Sequence, residues 1–266
     1  MPSADLALNS PAIPRYHKIM LSIIVVMLLL PIAATLIYSF SSRWGATVLP
    51  DGLTLQWYLK LWQDPRFLAA FGRSLFICFV TLALSTLVIL PLVFAVFYYF
   101  PRLKGVMEIL IILPFAVPPV VSSVGLLQLF ADGPFPIVGT PWILIGTYFT
   151  IALPFMYRAL ANSLNGVPLK DLMDAAHLLG ASTFKAVLLV VIPNIRKGLL
   201  VSLLIAFSFL FGEFVFANIL VGTRFETLQI YLYNMRQTSG HFTSALVMSY
   251  FVFTLILTLT ASRLSR

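Results

Sequence analysis

Six stretches of this chain, each about twenty residues or longer, carry at most one charged residue apiece. They are 19–40, 74–100, 109–131, 138–158, 198–221 and 242–262. A helix needs roughly 20 apolar residues to cross the hydrocarbon core of a bilayer, and each run meets that length. Membrane β-strands would instead alternate polar and apolar residues over about ten positions, and these runs are apolar throughout. The expected fold class is therefore all-α, a polytopic membrane protein with six transmembrane helices. The expected organisation is an N-terminal tail over 1–18 and a six-helix domain over 19–266, with a polar segment at 163–193 between spans four and five.

Composition closes the other routes. Only 10% of residues are charged and 60% are hydrophobic, against about 25% charged in a soluble domain. Such a chain cannot clothe a water-facing surface, and its aromatic content is wrong for disorder. Cys78 is the one cysteine, so there is no disulfide framework, and the expectation for it is an inert buried side chain. His17, His177 and His241 are scattered, so no metal cluster announces itself. Arg15 and Lys18 before an apolar run resemble a signal peptide, but the run exceeds the usual length and five more spans follow.

The net charge of +8 reads as topology rather than as a nucleic-acid surface. Six spans put both termini on one side. With that side cytoplasmic, the inner segments hold eleven of the 17 Lys and Arg and the outer segments six, the bias expected of short loops. Trp44, Trp57, Tyr58 and Trp62 give the first outer loop the aromatic character of a membrane edge, structural before it is a docking surface.

The segment at 163–193 is the informative one. Pro168 suits the first turn of a helix. Leu169, Leu172, Met173 and Ala176 fall on one helical face. Gly180 is a natural residue to turn the chain after it, Ser182 can cap the next helix, and Pro193 is expected to break or bend that helix. An amphipathic helix of this kind can simply lie on headgroups.

Its spacing is more specific. Asp174-Ala175-Ala176, three residues, Gly180, nine residues, Val190, one residue, Ile192-Pro193 resembles the Glu-Ala-Ala…Gly…Ile-x-Leu-Pro loop of binding-protein-dependent ABC importer permeases. It departs at the acid, Asp for Glu, and at the aliphatics Val190 and Ile192. Arg73-Ser74-Leu75, the run Leu113 to Pro119, Leu153-Pro154-Phe155, Gly212-Glu213-Phe214 and Thr227-Leu228 are similar to the same family, the last two to its spermidine/putrescine subgroup. The resemblance covers about residues 70 to 262.

The resemblance implies a type I importer in a bacterial inner membrane. This chain would form the pathway with a second permease subunit, identical or different. Cytoplasmic ATP-binding cassette subunits would drive it, and an external solute-binding protein would deliver the solute. Lys170, Asp171, Asp174, Ala175, Ala176, His177 and Gly180 would form the coupling segment that sits in an ATPase groove. ATP and Mg2+ would belong to that partner, and no Gly-x-x-x-x-Gly-Lys-Ser/Thr loop occurs in this chain, as such phosphate binding would require. Polyamines are the expected solute, with ferric iron, 2-aminoethylphosphonate or an anion as alternatives.

Glu213 is expected about fifteen residues into span five, in its outer half. A lipid-facing carboxylate there costs about 2.5–3.5 kcal/mol or more, so it must face protein or a water-filled passage. It reads equally as a passage residue and as a hydrogen-bonded structural group. Phe214, Asn218, Phe115 and Pro118 complete the candidate pathway, the prolines of span three favouring a bent helix that lines a cavity. An intramembrane enzyme would need a convergent nucleophile and base or a metal set, and no such pairing is legible. A secondary transporter would be expected to show repeated halves, and none is evident.

Overall fold

The computed structural model describes residues 15–45, 47, 50–132 and 134–264. Most of the expected N-terminal tail, residues 1–14, and the last two residues lie outside that set. Helix α1 (Arg15–Phe40) is apolar on all sides and exposed along nearly its whole length, so it makes a peripheral span. A short connection follows, pinned by an isolated bridge between Ser41 and Leu53 and by the Trp57 indole donating to the Ser41 carbonyl at 2.9 Å. It leads to α2 (Gln56–Gln63).

Helix α3 (Pro65–Tyr98) starts where Asp64 accepts the Arg66 backbone N–H at 2.8 Å and Pro65 occupies the first helical position. It begins nine residues before the expected span at Ser74. Arg66 and Arg73, which set the expected boundary, both bond to Glu226 of a distant loop, and the helix continues through them. After a 3₁₀ turn, Pro101–Leu103, come α4 (Lys104–Ala116) and α5 (Pro119–Phe130). These two meet at an 84° bend. Span three is therefore broken rather than bent smoothly. Val117 and Pro118 are extended, because a residue before proline is pushed out of the helical region and proline supplies no N–H.

Helix α6 (Pro141–Asn165) is the most buried span. α7 (Leu169–Leu178) follows, then α8 (Thr183–Ala186), a π-turn Val187–Val191 and α9 (Ile192–Phe211). The last three form one continuous rod, Thr183–Phe211. Pro193 is expected to break or bend this rod, and it does not break it. The π-turn Val187–Val191 widens the ladder just ahead of the proline, and the Asn194 side-chain amide donates to the Val190 carbonyl at 2.8 Å. Beyond Phe211 come α10 (Val215–Leu220), a 3₁₀ turn Gly222–Phe225, α11 (Leu228–Met235) and α12 (Gly240–Leu264).

Five helices are long and apolar enough to cross a membrane, and there are six when the bent α4–α5 pair is counted as one span. No strand occurs among the described residues. The core lies where α3, α6 and α9 pack on one another, with Ile77, Ile89, Leu144, Met156, Leu160 and Ile195 fully buried. α1 rests on α12, where Tyr38 sits on Gly240, too close to leave room for a side chain there. His241, expected to be solitary, stacks between Tyr38 at 4.1 Å and Trp57 at 5.6 Å, and its Nδ1 lies 3.0 Å from both Ser41 Oγ and the Tyr38 carbonyl. This is anchoring of the aromatic loop, not a ligand site.

Candidate functional site

The alternating course of the spans gathers the start of α1, the α3–α4 turn, α7 and the end of α12 at one end of the bundle. At that end α7 lies with Leu169, Met173 and Ala176 buried and with Lys170, Asp171, Asp174, Ala175, His177 and Gly180 exposed. Ala176 was grouped with the contact residues of this segment, but it turns inward. Its position seven residues from Leu169 returns it to the buried face.

The helix ends as its sequence requires. Gly180 has φ of +81°, its N–H donates to the His177 carbonyl at 2.9 Å, and the Ala181 N–H reaches back to Ala176 at 3.0 Å. That pair of bonds is the Schellman closure, which needs a left-handed residue. Ser182 stands at the N-cap of α8, with a long 3.5 Å bond from Lys185 N–H. The turn leaves Leu178 and Leu179 each 89% exposed and Phe184 71% exposed. A helix held on its own bundle by one face thus carries at its tip large apolar side chains with no cover from this chain.

The second group lies where two spans break. Glu213 is not inside a helix. It sits in the interruption after α9, and its carboxylate accepts the N–H of Phe216 at 2.8 Å on Oε1 and of Ala217 at 3.1 Å on Oε2. Both donors belong to the first turn of α10, which otherwise lacks partners for them. The buried Tyr148 hydroxyl lies beside the same carboxyl. Phe214 packs on Tyr233 of α11 at 5.0 Å, away from Glu213's partners.

Helix α10 packs on α5, so the two broken spans meet through their outer pieces. A cavity of about 310 Å3 lies beside them, bordered by Phe115, Pro119, Ser122, Thr150, Ile151 and Phe216, among others. Pro118 forms the break at its rim. Phe115 continues into an aromatic file with Phe155 at 5.8 Å and Phe209 at 4.1 Å beyond it. Asn218 is on the far side of α10, at a second cavity of about 490 Å3. Of the five candidate pathway residues, then, Phe115 and Pro118 flank the inner cavity, Asn218 the outer one, Glu213 caps the helix between them, and Phe214 packs behind it.

Sequence reasoning missed a polar network at the end opposite α7. Glu226 is held by Arg66 through paired bonds of 2.8 and 2.6 Å and by Asn234 at 3.0 Å. Arg73 donates to the Glu226 carbonyl at 2.8 Å. Ser74 accepts the Leu228 N–H at 2.8 Å, and the Tyr231 hydroxyl donates to Asp64. Burial pushes the Glu226 carboxyl up, but the Arg66 and Asn234 hydrogen bonds and the charges of Arg66 and Arg73 outweigh it and hold it below its ordinary range. Two sequence fragments noted separately, Arg73-Ser74-Leu75 and Thr227-Leu228, are the two sides of this contact.

A multi-span bundle with two broken helices and an exposed amphipathic turn at one end is the architecture of a polytopic helical membrane protein. A profile described as "binding-protein-dependent transport system inner membrane component" matches residues 74–266, and the chain belongs to that family, as an ABC importer permease subunit. Its ATPase is a partner subunit, and the chain itself is not an enzyme.

It is 25% identical over 211 residues to the putative 2-aminoethylphosphonate transport system permease protein PhnV of Salmonella typhi, covering 79% of each chain. It is 26% identical over 212 residues to the spermidine/putrescine transport system permease protein PotC of Escherichia coli K12, covering 78% of this chain and 77% of that one. Among solved structures it resembles a bacterial ABC transporter involved in the import of the acidic polysaccharide alginate, with a TM-score of 0.73 at 14% identity over 93% of this chain and 94% of that one. It also resembles the MetNI methionine ABC transporter, with a TM-score of 0.57 at 17% identity over 77% of this chain and 98% of that one. The fold is that of a type I importer transmembrane domain.

Proposed function

We propose that this chain forms half of the pathway of an ATP-driven importer of a small, ammonium-bearing solute, and that α7 is the element through which ATP hydrolysis moves it. The observation that carries the coupling assignment is the exposed face of α7 and its turn: Lys170, Asp171, Asp174, Ala175, His177 and Gly180, with Leu178, Leu179 and Phe184 uncovered beyond them. A helix pinned by Leu169, Met173 and Ala176, and packed on α8 and the π-turn, can transmit a push from a partner into the rod that continues as α9. This end, with both termini, faces the cytoplasm, in keeping with its share of Lys and Arg. ATP and Mg2+ bind to the partner, a second permease subunit completes the passage, and an external binding protein delivers the solute.

The solute class rests on what the relatives' names share. Spermidine, putrescine and 2-aminoethylphosphonate all carry an aliphatic ammonium group, and the polyamines and the aminophosphonate are the two candidates. The passage runs past Phe115 and Pro118, past the break at Glu213 and Phe214, and past Asn218 on α10. Glu213 contributes by fixing α10 rather than as a free cation site, since both its oxygens are engaged.

The test is co-purification of the tagged chain with its ATP-binding subunit, together with uptake of labelled putrescine and 2-aminoethylphosphonate by vesicles holding the assembled complex. Co-purification should be lost in Ala175→Trp, which enlarges the exposed face and leaves the buried one intact. Retention of the ATP-binding subunit by that variant contradicts the role of α7, and uptake of neither amine contradicts the solute class.

A further inference from the structure

The outer cavity of about 490 Å3 carries chemistry that neither the coupling segment nor the helix breaks use. It lies between the end of α5, residues 138–139, and the run from Asn218 to Arg224. Its charged groups are one acid, Asp132, and one base, Arg224, and Asn218 adds a neutral amide. Among the described residues no ion pair or side-chain hydrogen bond engages any of these three side chains. The two charges therefore border one cavity without neutralising each other.

Arg224 is placed there by backbone geometry. Gly222, with φ of +51°, opens the 3₁₀ turn that carries Arg224. The arginine side chain then crosses Gly139, whose φ is +81°, so closely that a Cβ at Gly139 would come within 2.7 Å of Arg224 Cδ. The Gly139 N–H, bonded to the Leu220 carbonyl at 2.8 Å, fixes the two segments together. Two left-handed positions that only glycine adopts cheaply thus let the guanidinium lie along the cavity. The size suits a small polar molecule, and α10 separates this cavity from the inner one, with Asn218 on one side and Phe216 on the other.

Resting on the importer reading above, we propose that the outer cavity is a binding station for a small zwitterion, its ammonium at Asp132 and its anionic group at Arg224. A guanidinium suits a phosphonate or carboxylate because its planar fork can donate two parallel hydrogen bonds, and a carboxylate accepts from an ammonium. A polyamine would meet the acid but also the repulsion of Arg224. A simple anion would meet the reverse.

The test reads the cavity directly and separately from transport. In the assembled complex, Asn218→Cys places a thiol at the cavity wall, while Cys78 stays buried. Its rate of modification by a small thiol reagent is measured with 2-aminoethylphosphonate, with ethylphosphonate and with putrescine. The zwitterion should slow modification about tenfold, a drop in free site set by its affinity, and the two half-ligands much less. Adding Arg224→Gln or Asp132→Asn should abolish that protection. Equal rates with and without the zwitterion overturn the proposal, as does undiminished protection in both charge variants. Protection without uptake of the same compound upholds the station and overturns only the assignment of the transported solute.

Discussion

Glu213 shows how a single residue's surroundings decide between two readings of one carboxyl group. Its position in an apolar run suggests either a passage charge or a structural group, and the hydrogen bonds to Phe216 and Ala217 N–H make it the cap of α10. Glu213→Ala leaves two donors unpaired, at about 1–3 kcal/mol each when buried. We expect a clear fall in thermal stability of the detergent-purified protein, with Glu213→Gln intermediate because one amide oxygen replaces two carboxylate oxygens. Stability unchanged in Glu213→Ala would rule out the capping role. Nothing in the sequence marks the break before α10 except Gly212, so the cap could not be read there. Glu226 was equally silent, because its partners Arg66 and Asn234 lie far away in sequence. Its carboxyl titrates below the ordinary range in the folded protein. The stability it contributes is therefore complete above the unfolded value of about 4.3 and is lost as pH falls through the lower folded value. The melting temperature of the wild type should drop steeply in that acid window, whereas Glu226→Gln should start lower at neutral pH and show a shallower acid drop. Parallel pH profiles would contradict the assignment. Gly180, by contrast, was legible: a glycine after an amphipathic stretch is the usual left-handed stop, and its φ is +81°.

At the scale of elements, the breaks separate what sequence can show from what packing decides. The Pro118-Pro119 pair announces the interruption of span three, although not its 84° angle. Pro193 looks like the same signal and is not, since the preceding π-turn carries the helix through it. The close crossing of α6 and α9 was invisible, because Gly198 and Ser163 sit in unremarkable runs. A Cβ on Gly198 would lie 2.6 Å from Ser163 Cβ and closer still to its hydroxyl, so the two helices touch through that glycine. Gly198→Val should therefore cost about 1–3 kcal/mol by overpacking and lower the amount of folded protein recovered from membranes. Ser163→Gly should restore recovery to Gly198→Ala. Normal recovery of Gly198→Val would show that the crossing has slack that this packing does not allow.

Across the whole molecule, the low charge content that defined the spans also defines the two ends. One end carries α7 and its uncovered apolar tip. The other carries the Arg66–Glu226 network, the aromatic loop around His241 and the outer cavity. Between them α3, α6 and α9 form the rigid centre, and the broken spans line the space beside it. The number of spans and the place of α7 were legible because hydropathy and the Asp174-to-Pro193 spacing are local. The junction of Arg73-Ser74 with Glu226 and Leu228 was not, because it joins residues 153 and 154 positions apart. The central claim is that motion enters this permease through α7. It is tested most directly by ATP-driven solute uptake into vesicles holding the assembled complex, comparing the wild type with Gly180→Pro, whose ring cannot adopt the left-handed turn. The account predicts ATP-dependent uptake by the wild type and its loss in Gly180→Pro at an unchanged level of membrane-inserted protein. Uptake by Gly180→Pro at the wild-type rate, or wild-type uptake that does not need ATP, would contradict it.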